Sequence, residues 1–390
     1  MKSKFIAGTT HPIAHDTRSK MPVRRRLTAK EIERNFSPMG MAVKQAMITS
    51  VQAIERRFDL LPIPVRYRAS GALDAWAAVR NLAGREGAKF SAALADPRGE
   101  VMGLSRHLCE LVRHCLHEPP PDEAEHEFAN IYTRSAFTQA FWLRRGALYE
   151  PTAALHRLLE VSDISSDVPL SLLRVPAPAI CIVPEPALRD HPDGFKAVMV
   201  FEHCSPSGWD EHARWLTFCV WPHEDDPYPK LDVKALSLFA GAGSGSVDQM
   251  LLHLCEQYGL EGEARAFWQR VLDYVVKILL YLSLDVSPVI HERPYSTAPR
   301  KAAALGKRKR LEQHVARESL YDRYVVGPAA LPERSEPSGS SEGSDREMRA
   351  HWRRGHFRMQ AHGPAATQRK LIFVMPVLVR ADRLGAGAAL

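Results

Sequence analysis

The residues best suited to chemistry gather near the C-terminus, where cationic and aromatic side chains follow one another along a predicted β-strand. Because successive side chains of a strand point to opposite faces, one face would carry Trp352, Arg354, His356 and Arg358. The opposite face would carry Arg353, Phe357 and Met359. Guanidinium groups beside an aromatic ring suit single-stranded nucleic acid, whose bases stack and whose phosphates accept hydrogen bonds. The alternative is that the rings pack on the body of the protein while the arginines face water.

We therefore predict a surface that binds nucleic acid or another partner, formed by Trp352, Arg353, Arg354, His356, Phe357, Arg358 and Lys370. A different use of the same segment is RNA cleavage, in which His351 or His356 is the acid or base and Lys370 stabilises charge. Only the residue types favour that chemistry. We predict no catalytic residue and no enzyme, with nuclease activity left open.

Histidine and cysteine also cluster in the first half of the chain, at His107, Cys109, His114, Cys115 and His117. A zinc site needs four convergent ligands, usually in short paired spacings, and the chain has no C-x-x-C pair. On a helix, His107 and His114 would lie two turns apart on one face. We predict a mixed helix face with buried cysteines and no metal site.

Two further motifs are weak signals. His203 and Cys204 are adjacent at the end of a predicted strand, so their side chains point to opposite faces and cannot form a catalytic pair by themselves. The glycine-rich stretch 241–245 lacks the lysine of a phosphate-binding loop. The sequence therefore predicts no cofactor.

The pattern of elements divides the chain into five parts. Residues 1–40 are basic with little apolar periodicity, which predicts a disordered arm. Residues 41–165 place apolar residues at helical spacing and predict a helical region. Residues 166–290 predict an α+β core, and residues 291–349 are a basic and polar linker. Residues 350–382 form a C-terminal β-hairpin module.

Within the core, short runs rich in β-branched and aromatic residues predict three consecutive antiparallel strands, at Ala179–Val183, Ala197–His203 and Arg214–Trp221. Two helices should follow, at Val247–Tyr258 and Glu263–Leu284. The fold class is α+β: a helical N-terminal half, a small antiparallel sheet with packed helices, and a C-terminal hairpin.

The charge distribution bears on partners. The net charge of +7 combines two basic ends, 1–68 and 291–390, with an acidic body between them. Such asymmetry favours contact with a polyanion such as RNA, although basic ends can also keep a protein soluble or fold back on the body. The six cysteines show no disulfide spacing and no export signal is visible, which predicts a soluble cytoplasmic protein with reduced thiols and no membrane contact.

One family resemblance rests on the C-terminal residues. The run Arg353-Arg354-Gly355-His356-Phe357, followed by the apolar strand 369–379 with Pro376, resembles the C-terminal signature of a family of mobile-element proteins that includes the second type V-A anti-CRISPR. Weaker similarity covers 173–183, 194–201 and 278–288. Phe357 stands where the family often has a tryptophan.

The resemblance implies an inhibitor that lowers production of a type V-A CRISPR effector nuclease in the cytoplasm of the host bacterial cell. Its implied partner is the nascent N-terminal segment of the effector, its translating message, or both. No catalytic residue is then required. The alternative is an RNA- or DNA-binding protein of a plasmid or phage with no CRISPR role.

Overall fold

The computed structural model describes residues 37–116, 126–189, 194–204, 214–222, 234–240, 245–299, 307–331 and 351–379. The predictions made for residues 1–36, for His117, for the glycines at 241–244 and for the polar stretch 332–350 lie outside these residues.

A layer of helices forms the N-terminal part of the described chain. Ser37 caps the first helix, because its Oγ accepts a hydrogen bond of 3.0 Å from the Gly40 amide. Trp76 and Phe141 are fully buried between the helices. The helices are α1 Pro38–Gln52, α2 Ile63–Ala69, α3 Ala72–Leu82, α4 Gly84–Ala95, α5 Leu104–Leu116 and α6 His126–Leu143.

The rest of the described chain alternates strands with helices. The strands are β1 Ala147–Pro151, β2 Ser162–Ile164, β3 Ala179–Ile182, β4 Phe195–Cys204, β5 Arg214–Pro222, β6 Lys234–Phe239, β7 Val289–Glu292, β8 Arg323–Val326, β9 His351–Arg353, β10 Gly355–His362, β11 Gln368–Val374 and β12 Val377–Val379. The helices are α7 Ala153–Glu160, α8 Pro186–Arg189, α9 Val247–Gln257, α10 Gly262–Leu282, α11 Pro294–Thr297 and α12 Lys307–Glu318.

A seven-stranded sheet is the centre of the fold, with the strand order β6-β5-β4-β3-β1-β8-β7. Strand β1 runs parallel to both of its neighbours, and the other pairs are antiparallel. The α+β class and the three predicted strands of the core are confirmed. The expectation of a small antiparallel sheet is wrong, because β1, β7 and β8 extend it and bring parallel pairing.

Both faces of the sheet are buried. Ile180 and Val198 lie in one cluster with Val275 of α10, whereas Cys181 and Met199 lie in a second cluster with the helices α1 to α6. Strands covered on both faces read as continuous apolar runs rather than as an alternation, which is the pattern of β3, β4 and β5. The molecule is thus built in three layers, with the sheet in the middle.

The described parts of the segment predicted as a linker form helices and strands. They contribute β7, α11, α12 and β8, and β8 lies between β1 and β7 inside the central sheet. Their connection to the helical layer is made by Arg68 of α2, which forms an ion pair with Glu318 at 3.2 Å and lies over the Tyr295 ring at 3.8 Å. The linker prediction is wrong for these elements. Aromatic and charged contacts dock the segment around α12, and β8 is held by its pairing with β1 and β7.

The longest apolar run of the sequence lies in the buried helix α10, where Asp273 and Lys277 interrupt the apolar residues. Lys277 is buried and donates to the Leu159 carbonyl and to Asp273, at 3.1 and 2.7 Å. Among the described residues, no helix has the length and apolar character needed to cross a membrane.

Candidate functional site

The predicted C-terminal module is a β-hairpin docked on the body of the protein. Strands β10 and β11 pair antiparallel, and β10 also pairs parallel with β2, which gives a sheet of the order β11-β10-β2. Strands β9 and β12 form a separate two-stranded pair. The hairpin is therefore one part of a sheet whose third strand comes from a segment nearly two hundred positions earlier.

Gly355 makes this docking possible. A Cβ atom at this position would lie 2.5 Å from Ser162 Oγ, 2.7 Å from Pro376 Cδ and 2.8 Å from the Val374 carbonyl oxygen. Strands β2 and β11 and the turn into β12 lie so close to the Gly355 backbone that a side chain at this position would clash with them. The glycine of the Arg-Gly-His run thus has a physical reason, which is the close packing of β2, β10 and the end of β11.

The inner face of the hairpin belongs to the core. Phe357 is fully buried and stacks on Phe373, with ring centroids 4.5 Å apart. Phe373 in turn meets Tyr281 of α10 edge to face, at 6.1 Å. Phe357 was predicted to contact a partner, and its burial corrects that assignment. The ring anchors the hairpin to the body, which was the alternative considered for the aromatic residues.

The outer face of the hairpin is polar and cationic. Arg358 lies opposite Ile372, and Gln360 lies opposite Lys370, so these side chains share one face. Arg358, Gln360 and Lys370 are exposed, and His356 is half-buried. Among the described residues, no carboxylate forms an ion pair with Arg358 or Lys370. Both cations are therefore available to an anionic ligand. We call Arg358, Lys370 and His356 the cationic face.

The arginines before β10 are arranged differently from the prediction. The chain leaves one strand pair after Arg353 and enters the three-stranded sheet at Gly355, so the expected continuous ladder from Trp352 to Arg358 is interrupted. Arg353 is exposed. Arg354 is 74% exposed and its NH1 lies 3.2 Å from both carboxylate oxygens of Asp163. The side chains of His351 and Trp352 lie outside the described residues, although their backbones form β9.

Acidic residues border the cationic face at one end. Asp163 of β2 lies opposite His356, and Asp167 accepts a hydrogen bond from the Met359 amide at 3.3 Å. Strand β2 ends before it reaches Met359, so the Asp167 carboxylate, in place of a strand carbonyl, accepts the hydrogen bond from this backbone amide. These carboxylates leave the far end of the hairpin, around Arg369 and Lys370, as its most cationic part.

The other candidate sites of the sequence behave as structural groups. Within the described ranges, no group of three or more His, Cys, Asp or Glu could hold a metal ion. His203 is buried, with Nε2 2.9 Å from Thr217 Oγ1 and Nδ1 3.2 Å from the Cys204 carbonyl oxygen. Burial lowers the pKa of the imidazole. Both ring nitrogens meet oxygen atoms, so neither is placed to take a proton from the Cys204 thiol.

The buried thiols are also inert. Cys181 and Cys219 are fully buried in the sheet, and desolvation raises the pKa of each thiol well above its ordinary value. A thiol held protonated is a poor nucleophile and a poor metal ligand. These cysteines serve as small apolar residues of the core.

The cationic face lies within the part of the chain that matches a known protein family. The sequence model of the AcrVA2-like family, described as the anti-CRISPR type V subtype A2 family, matches residues 149–381. Among solved structures, one titled "Crystal structure of AcrVA2" is similar, with a TM-score of 0.45 and 14% sequence identity. That likeness covers 80% of this chain and 99% of the other. No curated protein matches the chain.

Proposed function

Because the chain belongs to the anti-CRISPR type V subtype A2 family, we propose that it is an inhibitor that lowers production of a type V-A CRISPR effector nuclease. It acts in the cytoplasm of the host bacterial cell by binding the nascent N-terminal segment of the effector, its translating message, or both. The observation that carries the proposal is the family match over residues 149–381, which includes the whole cationic face.

The cationic face supports contact with the message. Arg358 and Lys370 project from one side of a rigid, core-anchored hairpin, and neither is neutralised by a described carboxylate. Cations held at fixed spacing on a sheet suit the phosphates of a single strand, since each contact releases bound counterions. Phe357 has a positioning role, because its stacking on Phe373 fixes the strand that carries Arg358.

Inhibition of this kind needs no reaction at the protein itself. Loss of effector follows from recognition, so the inert cysteines and the neutral, hydrogen-bonded His203 are consistent with a binding protein. The second candidate function is an RNA- or DNA-binding protein without a CRISPR role. The same cationic face favours it, because phosphate contacts by themselves do not select a sequence.

The test is co-expression with a type V-A effector, in which the effector protein and its message are followed against a control gene. We expect selective loss of both. The double variant Arg358→Ala with Lys370→Ala should restore the effector, because the cationic face has lost its charge. The matched control is Arg85→Ala with Arg106→Ala, which removes the same charge from exposed residues of α4 and α5 and should inhibit normally.

The outcomes separate the two functions. Unchanged effector and message in the presence of the wild-type chain would contradict the anti-CRISPR proposal. If purified protein then binds RNA with an affinity that falls steeply as salt rises, the second function is the better account. Full inhibition by the Arg358 and Lys370 variant would remove the cationic face from the mechanism.

A further inference from the structure

The two edge strands of the central sheet, β6 and β7, differ in whether a side chain covers their outward backbone groups. At one edge, the Tyr258 hydroxyl lies 3.2 Å from the Ser237 amide and donates to the Ser237 carbonyl at 2.7 Å. Both backbone groups of Ser237 on β6 are thus occupied by a side chain. A covered edge cannot accept another strand, so β6 is closed to pairing at its centre.

At the opposite edge, no described strand pairs with the outer side of β7. All four of its residues are exposed, with Val289 at 38% and Ile290 at 61%. The Gly327 amide donates to the Pro288 carbonyl at 2.8 Å, which directs residues 288, 290 and 292 toward β8. The amides and carbonyls of Val289 and His291 therefore point outward. In the described part of the chain, no side chain caps them.

Both faces of β7 offer apolar surface beside these free backbone groups. On one face, the His291 ring stacks on Tyr324 at 4.2 Å, and Tyr324 stacks on Tyr149 at 5.0 Å. On the other face, Ile290 is exposed next to Glu292, whose charge is neutralised by Arg323 at 2.8 Å. A strand edge with outward backbone groups and exposed apolar side chains can accept a further strand, and the one charge on β7, that of Glu292, is paired within its own chain.

We propose that β7 pairs antiparallel with β7 of a second copy of this chain, with the two-fold axis at Ile290. The outward-facing Val289 of one protomer then meets His291 of its partner, and each such pair exchanges backbone hydrogen bonds. Ile290 meets Ile290 across the axis as a closer, non-hydrogen-bonded pair. The result is one sheet that continues through both protomers.

The side chains of β7 are complementary to themselves in this register. The row of stacked rings ends at His291, and the partner's Val289 extends it by an apolar contact. Like charges directly opposite each other would destabilise the pair. This does not occur here, because Glu292 lies opposite Pro288. This self-complementary register, in which the exposed Val289 and Ile290 each meet an aromatic or apolar residue, favours a second copy over an unrelated extended peptide.

The experiment measures the mass of the purified full chain in solution, from micromolar to submillimolar concentration, without effector or nucleic acid. We expect a dimer. Ile290→Lys should give a monomer, because two ammonium groups would meet at the axis. Val289→Pro should do the same, because it removes an outward amide and leaves the hydrogen bonds to β8 intact.

Two controls guard the interpretation. Ile290→Val preserves the contact and should stay dimeric, and Leu60→Lys introduces the same charge at a residue that is 84% exposed elsewhere. Circular dichroism checks that each variant is folded. A wild-type chain that stays monomeric at all these concentrations overturns the proposal. A dimer that survives both Ile290→Lys and Val289→Pro overturns it as well. Because no effector is present, these results are independent of the test of inhibition.

Discussion

At the scale of single residues, the hairpin depends on one aromatic contact. Phe357 is fully buried, stacks on Phe373 and lies in the cluster that contains α10. Its ring thus connects the strand that carries Arg358 to α10, the longest of the described helices. A residue of the binding segment acts here through position rather than through contact with a ligand.

Phe357→Ala should destabilise the protein by about 3 kcal/mol or more, because it removes a buried ring and leaves a cavity. The measurement is the free energy of unfolding from urea denaturation. Phe357→Leu, which keeps most of the apolar volume, is the control and should cost less. A change in Phe357→Ala below about 0.5 kcal/mol, the range of surface substitutions, would contradict the assignment of this ring to the core.

Comparison of Arg354 with Phe357 shows why residue type alone does not identify the residues that contact a partner. Arg354 and Phe357 stood together in the predicted binding set, yet one is 74% exposed and paired with Asp163, and the other is fully buried. Strand alternation correctly placed Phe357 on the face opposite Arg358. It could not tell which face meets the body, since the partner strand β2 and helix α10 are remote in sequence.

At the scale of elements, the three-stranded sheet depends on the close approach of β10 to β2. Gly355→Ala should destabilise the protein by about 1–3 kcal/mol, the usual range for overpacking. Its new methyl group would meet the Val374 carbonyl oxygen and the Pro376 ring, which cannot move aside as a flexible side chain could. The measurement is again urea unfolding, together with hydrogen exchange at β10.

Gly103→Ala is a suitable control for that substitution. A Cβ atom there would meet nothing within 4 Å, so the variant should unfold like the wild type. Equal stability of the Gly355 and Gly103 variants would show that there is room for a methyl group between β2 and β10, and would contradict their close packing.

Some elements were predictable from sequence and others were not, for physical reasons. The helix expected at 263–284 is α10, Gly262–Leu282, because a long apolar run with helical spacing has few alternatives. Strand β8 was missed because it is a four-residue strand, Arg323–Val326, in charged surroundings. Its place beside β1 arises from parallel pairing between segments that are far apart, and alternation within a segment carries no information on such partners.

At the scale of the whole molecule, the family segment cannot be separated from the helices that precede it. The matched residues begin at 149, yet one face of β3, β4 and β5 is buried against α1 to α6. Cutting the chain before β1 would expose that face, including Cys181 and Met199. The helical layer is thus part of the folded unit that presents the cationic face.

The second connection between the two parts is Arg68, and its loss should loosen the segment 293–322. The guanidinium lies over Trp142 at 4.9 Å and over Tyr295 at 3.8 Å, pairs with Glu318, and donates to the carbonyls of Glu318 and Leu320. Desolvation lowers the pKa of Arg68, opposed by the nearby Tyr295 and Glu318. A guanidinium is not deprotonated in proteins, so Arg68 keeps its charge at neutral pH.

Arg68→Ala should therefore cost about 2–4 kcal/mol, since it removes the stacking and leaves Glu318 without its partner. Arg68→Lys should recover only part of this, because an ammonium group lacks the planar fork that reaches both carbonyls. Hydrogen exchange should accelerate in α12 before it does in α10. The control Arg57→Ala changes an exposed arginine that lies over Phe58 and should leave α12 protected. If α12 exchanges equally slowly in the Arg68→Ala variant, Arg68 does not hold the segment in place. Its other contacts, such as Tyr321 against the cluster that contains the helical layer, are then sufficient.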